Sequence, residues 1–231
     1  SGIQNYPDAR FALITPAHQS PLGVALSLAR RHQILEWADR SQAWIIEDDY
    51  DSEFRYHGKP LPALKSLDAP QRVIYAGTFS KALFPALRCA WLVVPVKQIA
   101  QFRHQASLAP CAVPVLWQNT LADFLREGHF WRHLKKMRQH YAQRRQWIEQ
   151  ALTQQGFQVV PQKGGIQMVI RMIGDDIAHA RKANAAGLAV QALSDWRIRS
   201  SGEGGLLLSF TNIVNEGMAR QVAQQLRKAL S

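Results

Sequence analysis

Short apolar runs alternate with helix-length segments of mixed polarity along the first part of the chain. Four such runs predict buried strands, namely FALIT (11–15), AWIIEDDYD (43–51), PQRVIYAGTF (70–79) and RCAWLVVP (88–95). Between the first two, SLARRHQILEWADR (27–40) carries apolar residues near the spacing of a helix. Buried strands separated by helical segments favour parallel strands with crossover connections, so the pattern predicts an α/β layer.

Helical patterns dominate from about residue 96 onward. They predict helices over 96–108 and 113–128 and a long amphipathic helix over 129–156. The apolar stripe of the long helix predicts its buried face, and its members are Trp131, Leu134, Met137, Tyr141, Ile148 and Leu152. Its basic residues predict a solvated face, with a polyanion or interdomain contact as the alternative, and they are Lys135, Lys136, Arg138, Arg144 and Arg145.

Four further short apolar runs follow the long helix and predict strands. They cover residues 157–161, 165–172, 188–193 and 205–210, and a helical pattern over 215–230 closes the chain. Strands and helices in this order predict a smaller α+β domain. We therefore predict two domains, with residues 1–128 as part of a large domain and residues 129–231 as a small C-terminal domain with a long connecting helix.

Composition narrows the function classes only partly. The 231 residues are 47% hydrophobic and 19% charged, which is enough for a packed core. No apolar run reaches the roughly 18–20 residues of a membrane span, so we expect no membrane contact. The two cysteines lack metal-ligand spacing, which favours a reduced, cytoplasmic setting. A net charge of +11 suits contact with a polyanion, although no DNA-binding motif is present.

The segment GTFSKALFPALR (77–88) places Lys81 in an apolar stretch directly after a predicted strand. Burial disfavours the charged form of an amine, and a neutral lysine amine can form a Schiff base with an aldehyde. Pyridoxal 5′-phosphate is the common biological aldehyde used in this way. A surface cation is the alternative for the lysine alone, and the case depends on the residues that accompany it.

Pyridoxal phosphate requires a carboxylate for its ring nitrogen, a hydroxyl for its ring oxygen, and cationic and hydroxyl groups for its phosphate. Asp48 and Tyr50 follow one predicted strand, and Thr78 and Ser80 precede the lysine. Arg88 lies seven positions after the lysine, and its guanidinium can bind phosphate oxygens in bidentate fashion. Ligands gather at the carboxyl ends of strands in α/β sheets, where both groups lie.

Three motifs, IIEDDYDSEFRY (45–56), VIYAGTFSKALFPALR (73–88) and TPAHQSPLG (15–23), resemble the aminotransferase-like domain of MocR-type transcriptional regulators. These regulators belong to the winged-helix GntR superfamily, and their second domain resembles fold-type I pyridoxal-phosphate aminotransferases. The resemblance runs from about residue 10 to the C-terminus. It implies part of a large domain with a mostly parallel sheet, followed by a smaller α+β domain.

The resemblance also implies roles for individual residues. Lys81 would carry the Schiff base, Asp48 would face the pyridinium nitrogen, and Tyr50 would face the ring oxygen. Thr78, Ser80 and Arg88 would hold the phosphate.

Two parts of the chain depart from the aminotransferase pattern. Ser20 stands where aminotransferases carry the asparagine of NPTG, and His18 in the same loop could stack near the ring or be a plain loop residue. A carboxylate-clamping arginine is usual near the C-terminus, but the run GLLLSF contains none. Arg197 and Arg199 are candidates for that clamp, with exposure in a loop as the alternative.

The resemblance implies a C-terminal fragment of a longer regulator, with the winged-helix domain and the upstream part of the large domain outside this chain. We expect a homodimer that senses a small amino compound and reaches DNA through the absent domain. A genuine aminotransferase acting on an amino acid is the alternative. A basic module that binds DNA through the long helix is a third hypothesis.

Overall fold

The structure is a computed structural model that describes residues 2–108, 113–198 and 202–231. The chain divides into two compact units. Unit 1 comprises Ser1–Gln19, Val24–Glu53 and Lys59–Leu134, and unit 2 comprises Ser20–Gly23, Phe54–Gly58 and Lys135–Ser231. The predicted domain boundary between residues 128 and 129 stays a prediction.

Unit 1 contains a four-stranded sheet in the order β1-β2-β3-β4. Its strands are β1 Phe11–Ile14, β2 Trp44–Asp49, β3 Val73–Thr78 and β4 Ala90–Val93. The first three strands are parallel, as predicted, but β4 runs antiparallel to β3. The sheet is therefore mostly parallel, as predicted, and residues 79–89 are too few for the crossover of a dozen or more residues that a fourth parallel strand would require.

Five helices of the described residues begin in unit 1, and they are α1 Gly2–Asn5, α2 Leu28–Arg40, α3 Ile99–Leu108, α4 Val115–Arg126 and α5 His129–Gln154. Helix α2 begins after Ser27, whose hydroxyl accepts from the Arg30 amide. It packs its buried side chains, including Leu35 and Ala38, against Ile45 and Val73 of the sheet. This apolar layer is the core of unit 1.

The connection between β2 and β3 contains a single 3-10 turn, Leu64–Leu67, instead of an α-helix. The buried carboxylate of Glu47 accepts from the amides of Leu64 and Lys65, both at 2.7 Å. Burial raises the pKa of Glu47, while the two amides act in the opposite direction. These bonds fix the connection to the strand that it follows.

Unit 2 contains a three-stranded antiparallel sheet in the order β5-β7-β6, with two helices of its own and most of α5. Its strands are β5 Gln167–Met172, β6 Val190–Ala192 and β7 Gly204–Ser209, and its helices are α6 Asp176–Ala185 and α7 Glu216–Leu230. The core packs Ile148 and Leu152 of α5 against Met168, Leu206 and Leu226. This arrangement agrees with the predicted α+β character.

Local predictions in unit 2 were only partly correct. The predicted strand over 157–161 is reduced to one bridge between Val159 and Ile170. Helix α6 was missed because the side chains that it buries include Ala180 and Ala183, which are too small to produce a clear apolar stripe. Its start is nevertheless encoded, since the Asp175 carboxylate accepts from two amides of the first turn.

Two residues of helix α5 differ in burial from the prediction. Trp131 was expected in the buried stripe but is 62% exposed, whereas Arg145 was expected on the solvated face but is 5% exposed. The Arg145 guanidinium donates to the main-chain oxygen of Gln162 at 2.7 Å and lies 5.7 Å from the centre of the Tyr56 ring. Periodicity shows which side of a helix is apolar, but it does not show a carbonyl that accepts from a buried cation.

A buried carboxylate at the start of α6 holds two segments of unit 2 together. The Asp176 Oδ2 accepts from the amides of Gly205 at 2.9 Å and Ser194 at 3.2 Å. Burial by itself raises the pKa of Asp176, but these hydrogen bonds and the charge of Arg197 outweigh it and lower the pKa. The ionised form is therefore favoured in the folded state.

Asp176→Asn should reduce the free energy of unfolding near neutral pH by about 1.5–3 kcal/mol, the contribution of hydrogen bonds to a charged group. Because the folded pKa is depressed, this contribution is present above the unfolded pKa of about 3.9 and is lost as pH falls through the folded pKa. Urea unfolding of both proteins across the acid range measures the difference. A difference that stays constant down to the lowest pH would contradict the role of the charge.

Candidate functional site

The carboxyl ends of β2 and β3 bring the two predicted groups of residues to one edge of the sheet. In the parallel register, Asp48 lies beside Ala76 and Asp49 lies beside Gly77. Tyr50 therefore follows β2 at the same edge at which Ser80 and Lys81 follow β3. The structure thus brings the backbones of these predicted site residues together within unit 1.

The end of β2 concentrates negative charge. Burial raises the pKa of Asp48, and the charges of Asp49 and Asp51 raise it further. Asp49 is engaged elsewhere, because it accepts from the hydroxyls of Tyr75 and Ser52, both at 2.8 Å. Since side chains alternate along a strand, Asp48 projects from the opposite face of the sheet. A cationic group placed beside Asp48 would relieve this concentration of negative charge.

The segment after β3 forms a polar loop closed by main-chain hydrogen bonds. The Thr78 and Ser80 hydroxyls are 3.0 Å apart, and the Ser80 amide donates to the Thr78 Oγ1 at 3.1 Å. The Phe79 amide donates to the Cys89 carbonyl at 3.1 Å, which returns the chain to the same place. These hydrogen bonds bring the backbone at Arg88 close in space to the backbone at Thr78 and Ser80.

Arg88 adopts a left-handed backbone conformation, with φ 50° and ψ 37°, directly after the 3-10 turn Pro85–Leu87. A residue other than glycine carries strain of roughly 1 kcal/mol or more there, and such strain clusters at functional sites. The side chain is exposed. Gln42 and Gln71 also have positive φ, so the conformation fixes the backbone of Arg88 but does not by itself mark a functional position.

Lys81 is exposed, which differs from the burial expected from its apolar neighbours in the sequence. The flanking residues Phe79 and Ala82 take the buried positions, at 8% and 2% exposure. The Ala82 carbonyl also accepts from the His133 ring at 2.9 Å, which anchors the loop next to the lysine. The apolar residues thus support the backbone, and the amine projects away from them.

A side chain of the neighbouring strand lies so close to the backbone of Gly77, the first residue of the GTFSK segment, that no Cβ fits there. A Cβ at this position would lie 2.2 Å from the Cζ2 of Trp91 on the paired strand β4. The Trp91 ring continues into an aromatic contact with Phe79, at 4.6 Å between ring centres, and Phe79 contacts Phe130 at 5.6 Å. The glycine therefore lets an aromatic layer support the loop that carries Lys81.

The structure adds Asp51 to the predicted site and gives His18 defined contacts. The Tyr50 hydroxyl donates to the main-chain oxygen of His18 at 3.0 Å, and the His18 ring lies 3.1 Å from the Asp51 carboxylate. The contact of His18 is with Tyr50 and Asp51, and Asp51 was not singled out from the sequence. The sequence does contain a signal for Asp51, because it is the third aspartate of the DDYD segment and follows Tyr50 directly. Sequence alone does not show that its side chain is 98% buried.

The two candidates for a carboxylate clamp do not belong to the described part of unit 1. Arg197 belongs to unit 2, where its guanidinium donates to the main-chain oxygen of Glu203. Arg199 lies outside the described residues. Leu206, Leu207 and Leu208 of β7 are buried, so the strand offers apolar side chains where a clamp was sought.

Two further chemical features bear on the kind of site. Among residues 2–108, 113–198 and 202–231, no group of three or more His, Cys, Asp or Glu side chains is arranged to hold a metal ion. Within the same ranges, no helix is both long enough and apolar enough to cross a membrane.

A lysine-bearing loop and an acidic strand end at one edge of a mixed sheet define an aminotransferase-like domain. The family model for aminotransferase class I and II matches residues 3–202. The chain belongs to the aminotransferase class I and II family.

The curated relatives include regulators. The chain is 37% identical over 229 residues to the probable rhizopine catabolism regulatory protein MocR of Rhizobium meliloti, covering 96% of this chain and 46% of that protein. It is 32% identical over 225 residues to the HTH-type pyridoxine biosynthesis transcriptional regulator PdxR of Corynebacterium glutamicum, covering 97% and 49%. The resemblance to MocR-type regulators is confirmed, and the chain spans about half the length of these relatives.

Solved structures confirm the predicted fold class. A kynurenine aminotransferase from Pyrococcus horikoshii matches with a TM-score of 0.85 and 26% identity, over 96% of this chain and 56% of that chain. A multiple substrate aminotransferase from Thermococcus profundus matches with a TM-score of 0.84 and 26% identity, over 99% and 58%.

Gly77→Ala should destabilise the folded protein by about 1–3 kcal/mol, because the added methyl group overpacks the site against Trp91. The same substitution in a Trp91→Leu background should cost less, since the clashing ring is gone. Urea denaturation of the four proteins measures this coupling. Gly2→Ala is the matched control, because nothing lies within 4 Å of a Cβ added there. Equal costs in both backgrounds would contradict the packing explanation.

Proposed function

We propose that this chain is the effector-sensing, pyridoxal-phosphate-binding domain of a transcriptional regulator. The single observation that carries the proposal is the meeting of Asp48, Tyr50 and the Thr78–Lys81 segment at one edge of the unit 1 sheet. The regulators named among the relatives support a sensing role over a purely metabolic one.

The donor set of this edge fits pyridoxal phosphate. The acidic end of β2, where burial and neighbouring carboxylates raise the pKa of Asp48, suits a cationic ring nitrogen. Two hydroxyls 3.0 Å apart and an arginine in a preset backbone conformation suit a phosphate dianion. The exposed Lys81 lies between Ser80 and Arg88 along the chain, at the same sheet edge as Asp48.

Each residue then has a defined task. Lys81 would supply the amine that joins the cofactor covalently, and Asp48 would accept a hydrogen bond from the ring nitrogen. Tyr50 would turn its hydroxyl proton, which the His18 main-chain oxygen accepts in this structure, to the ring oxygen. Thr78, Ser80 and Arg88 would hold the phosphate. When bound, the cofactor supplies an electrophilic carbon that recognises amino compounds.

Sensing would follow from competition between an amino compound and the Lys81 amine for that carbon. An amino compound bound in place of the Lys81 amine would leave the lysine side chain free, and the resulting change in contacts would shift the conformational equilibrium of the domain. In this proposal a winged-helix domain outside this chain reads the change on DNA, the protein acts in the cytoplasm, and it works as a homodimer. Arg197 and Arg199 stay candidates for the effector carboxylate.

Lys81→Ala should abolish the absorbance band near the visible edge that forms when pyridoxal phosphate is added to the full-length protein. Lys97→Ala, which removes another exposed lysine of unit 1, is the matched control and should keep the band. Absorbance scans of the three proteins at equal cofactor concentration measure it. Identical spectra for wild type and Lys81→Ala would overturn the assignment of the lysine.

A genuine aminotransferase is the second candidate, because the solved relatives are aminotransferases. In that case Lys81 would also move the Cα proton of the substrate as a general base. We expect one spectral change when an amino donor is added to the full-length protein, with no further product. Product that accumulates well beyond one equivalent with a keto-acid acceptor would favour the enzyme over the sensor.

A further inference from the structure

We propose that His18 and Asp51 act as a buried positioning pair for the Tyr50 hydroxyl, an inference that rests on the proposed function. His18 Nδ1 lies 3.1 Å from Asp51 Oδ2 and 3.2 Å from the Tyr50 Oη. The side chains of His18 and Asp51 are 11% and 2% exposed. The three groups form one cluster between the loop after β1 and the end of β2, in which Asp51 is buried and His18 and Tyr50 are partly buried.

The hydrogen bonds define the protonation of the histidine. An ionised Asp51 can only accept, so His18 Nδ1 must carry the proton of their contact. His18 Nε2 is buried and has no hydrogen-bond partner within the described residues. The geometry therefore places a proton on Nδ1, directed at Asp51.

A His18 ring with a proton on Nδ1 fixes the Tyr50 hydroxyl from two sides. The hydroxyl donates to the main-chain oxygen of His18 at 3.0 Å, while the Nδ1 proton lies within reach of its lone pairs. The two contacts hold the phenol ring at a defined angle above the end of β2. Neither His18 nor Asp51 needs to touch the cofactor, so both are positioning residues that act through Tyr50.

The loop that carries His18 is itself held in place. The Pro16 carbonyl accepts from the Arg31 guanidinium at 2.7 Å and from the Leu26 amide at 2.9 Å. Arg31 is 1% exposed and donates to two further carbonyls, so it ties the loop firmly to helix α2. A rigid base of this kind is what a positioning residue requires to act at a distance.

The position of the Tyr50 hydroxyl should be visible in the pH dependence of the bound cofactor. With the cofactor bound, the Tyr50 hydroxyl proton would turn from the His18 main-chain oxygen to the ring oxygen, while the Nδ1 donor keeps the hydroxyl oxygen in place. That hydrogen bond would stabilise the form in which the ring oxygen carries unneutralised negative charge. If that hydrogen bond is weakened, the pH midpoint of the absorbance transition of the bound cofactor rises. The other charged groups at this edge are Asp48 and Asp49 on β2 and Lys81 and Arg88 beyond β3, and they are unchanged in the variants below.

Substitutions that mimic one nitrogen at a time provide the test. The amide nitrogen of His18→Asn can take the place of Nδ1, whereas that of His18→Gln takes the place of Nε2. In the full-length protein loaded with pyridoxal phosphate, we expect His18→Gln to raise the midpoint by about 0.5–1 pH unit, the size of one hydrogen bond. His18→Asn should stay close to wild type, as should the exposed control His32→Gln. Equal shifts in the Asn and Gln variants, or none, would overturn the proposal.

A second measurement is independent of the cofactor. Nitrogen-15 spectra of histidine-labelled protein without pyridoxal phosphate should contain one ring with a proton on Nδ1 that vanishes in His18→Asn and His18→Gln. If the Lys81-dependent band never forms in wild type, the proposed function fails while this measurement still tests the His18–Asp51 pair. A His18 signal with its only proton on Nε2 would overturn the pairing.

Discussion

The parallel register between β2 and β3 is the constraint on which the candidate site depends. It sets Asp48 beside Ala76, so that two segments far apart in sequence end at one edge of a sheet. The register is held where the chain connects the two strands, because Glu47 binds the amides of the Leu64–Leu67 turn and Asp68 accepts from the Val73 amide at 2.8 Å. Buried carboxylates that bind backbone amides thus perform the task that a crossover helix performs between other parallel strands.

The sequence was informative where the type and spacing of residues alone indicate whether their side chains are buried or functional. Short apolar runs predicted the strands of unit 1, and the residue types of three motifs predicted a family that the comparisons confirm. It was less informative where a partner decides the outcome. The direction of β4 depends on the length of residues 79–89, and the burial of Arg145 depends on a carbonyl 17 positions away, which no local period encodes.

The candidate site shows the same division. Asp48 and Lys81 could be found from residue types at strand ends, because chemistry restricts which side chains can hold a pyridoxal ring. The contact between His18 and Asp51 joins a loop to a strand end and depends on the folded positions of both. The left-handed conformation of Arg88 was equally hidden, since an arginine carries no sequence signal for positive φ.

The Trp91 ring packs against the backbone of Gly77, so its fluorescence can report on the nearby candidate site. An indole in contact with the strand that leads to Lys81 can pass its excitation energy to a chromophore that absorbs in the near ultraviolet. The chain has seven tryptophans, but Trp91 is the one whose ring occupies the space left by the missing Cβ of Gly77. Quenching of its emission would follow ligand occupancy in real time, without a label and without any chemical turnover.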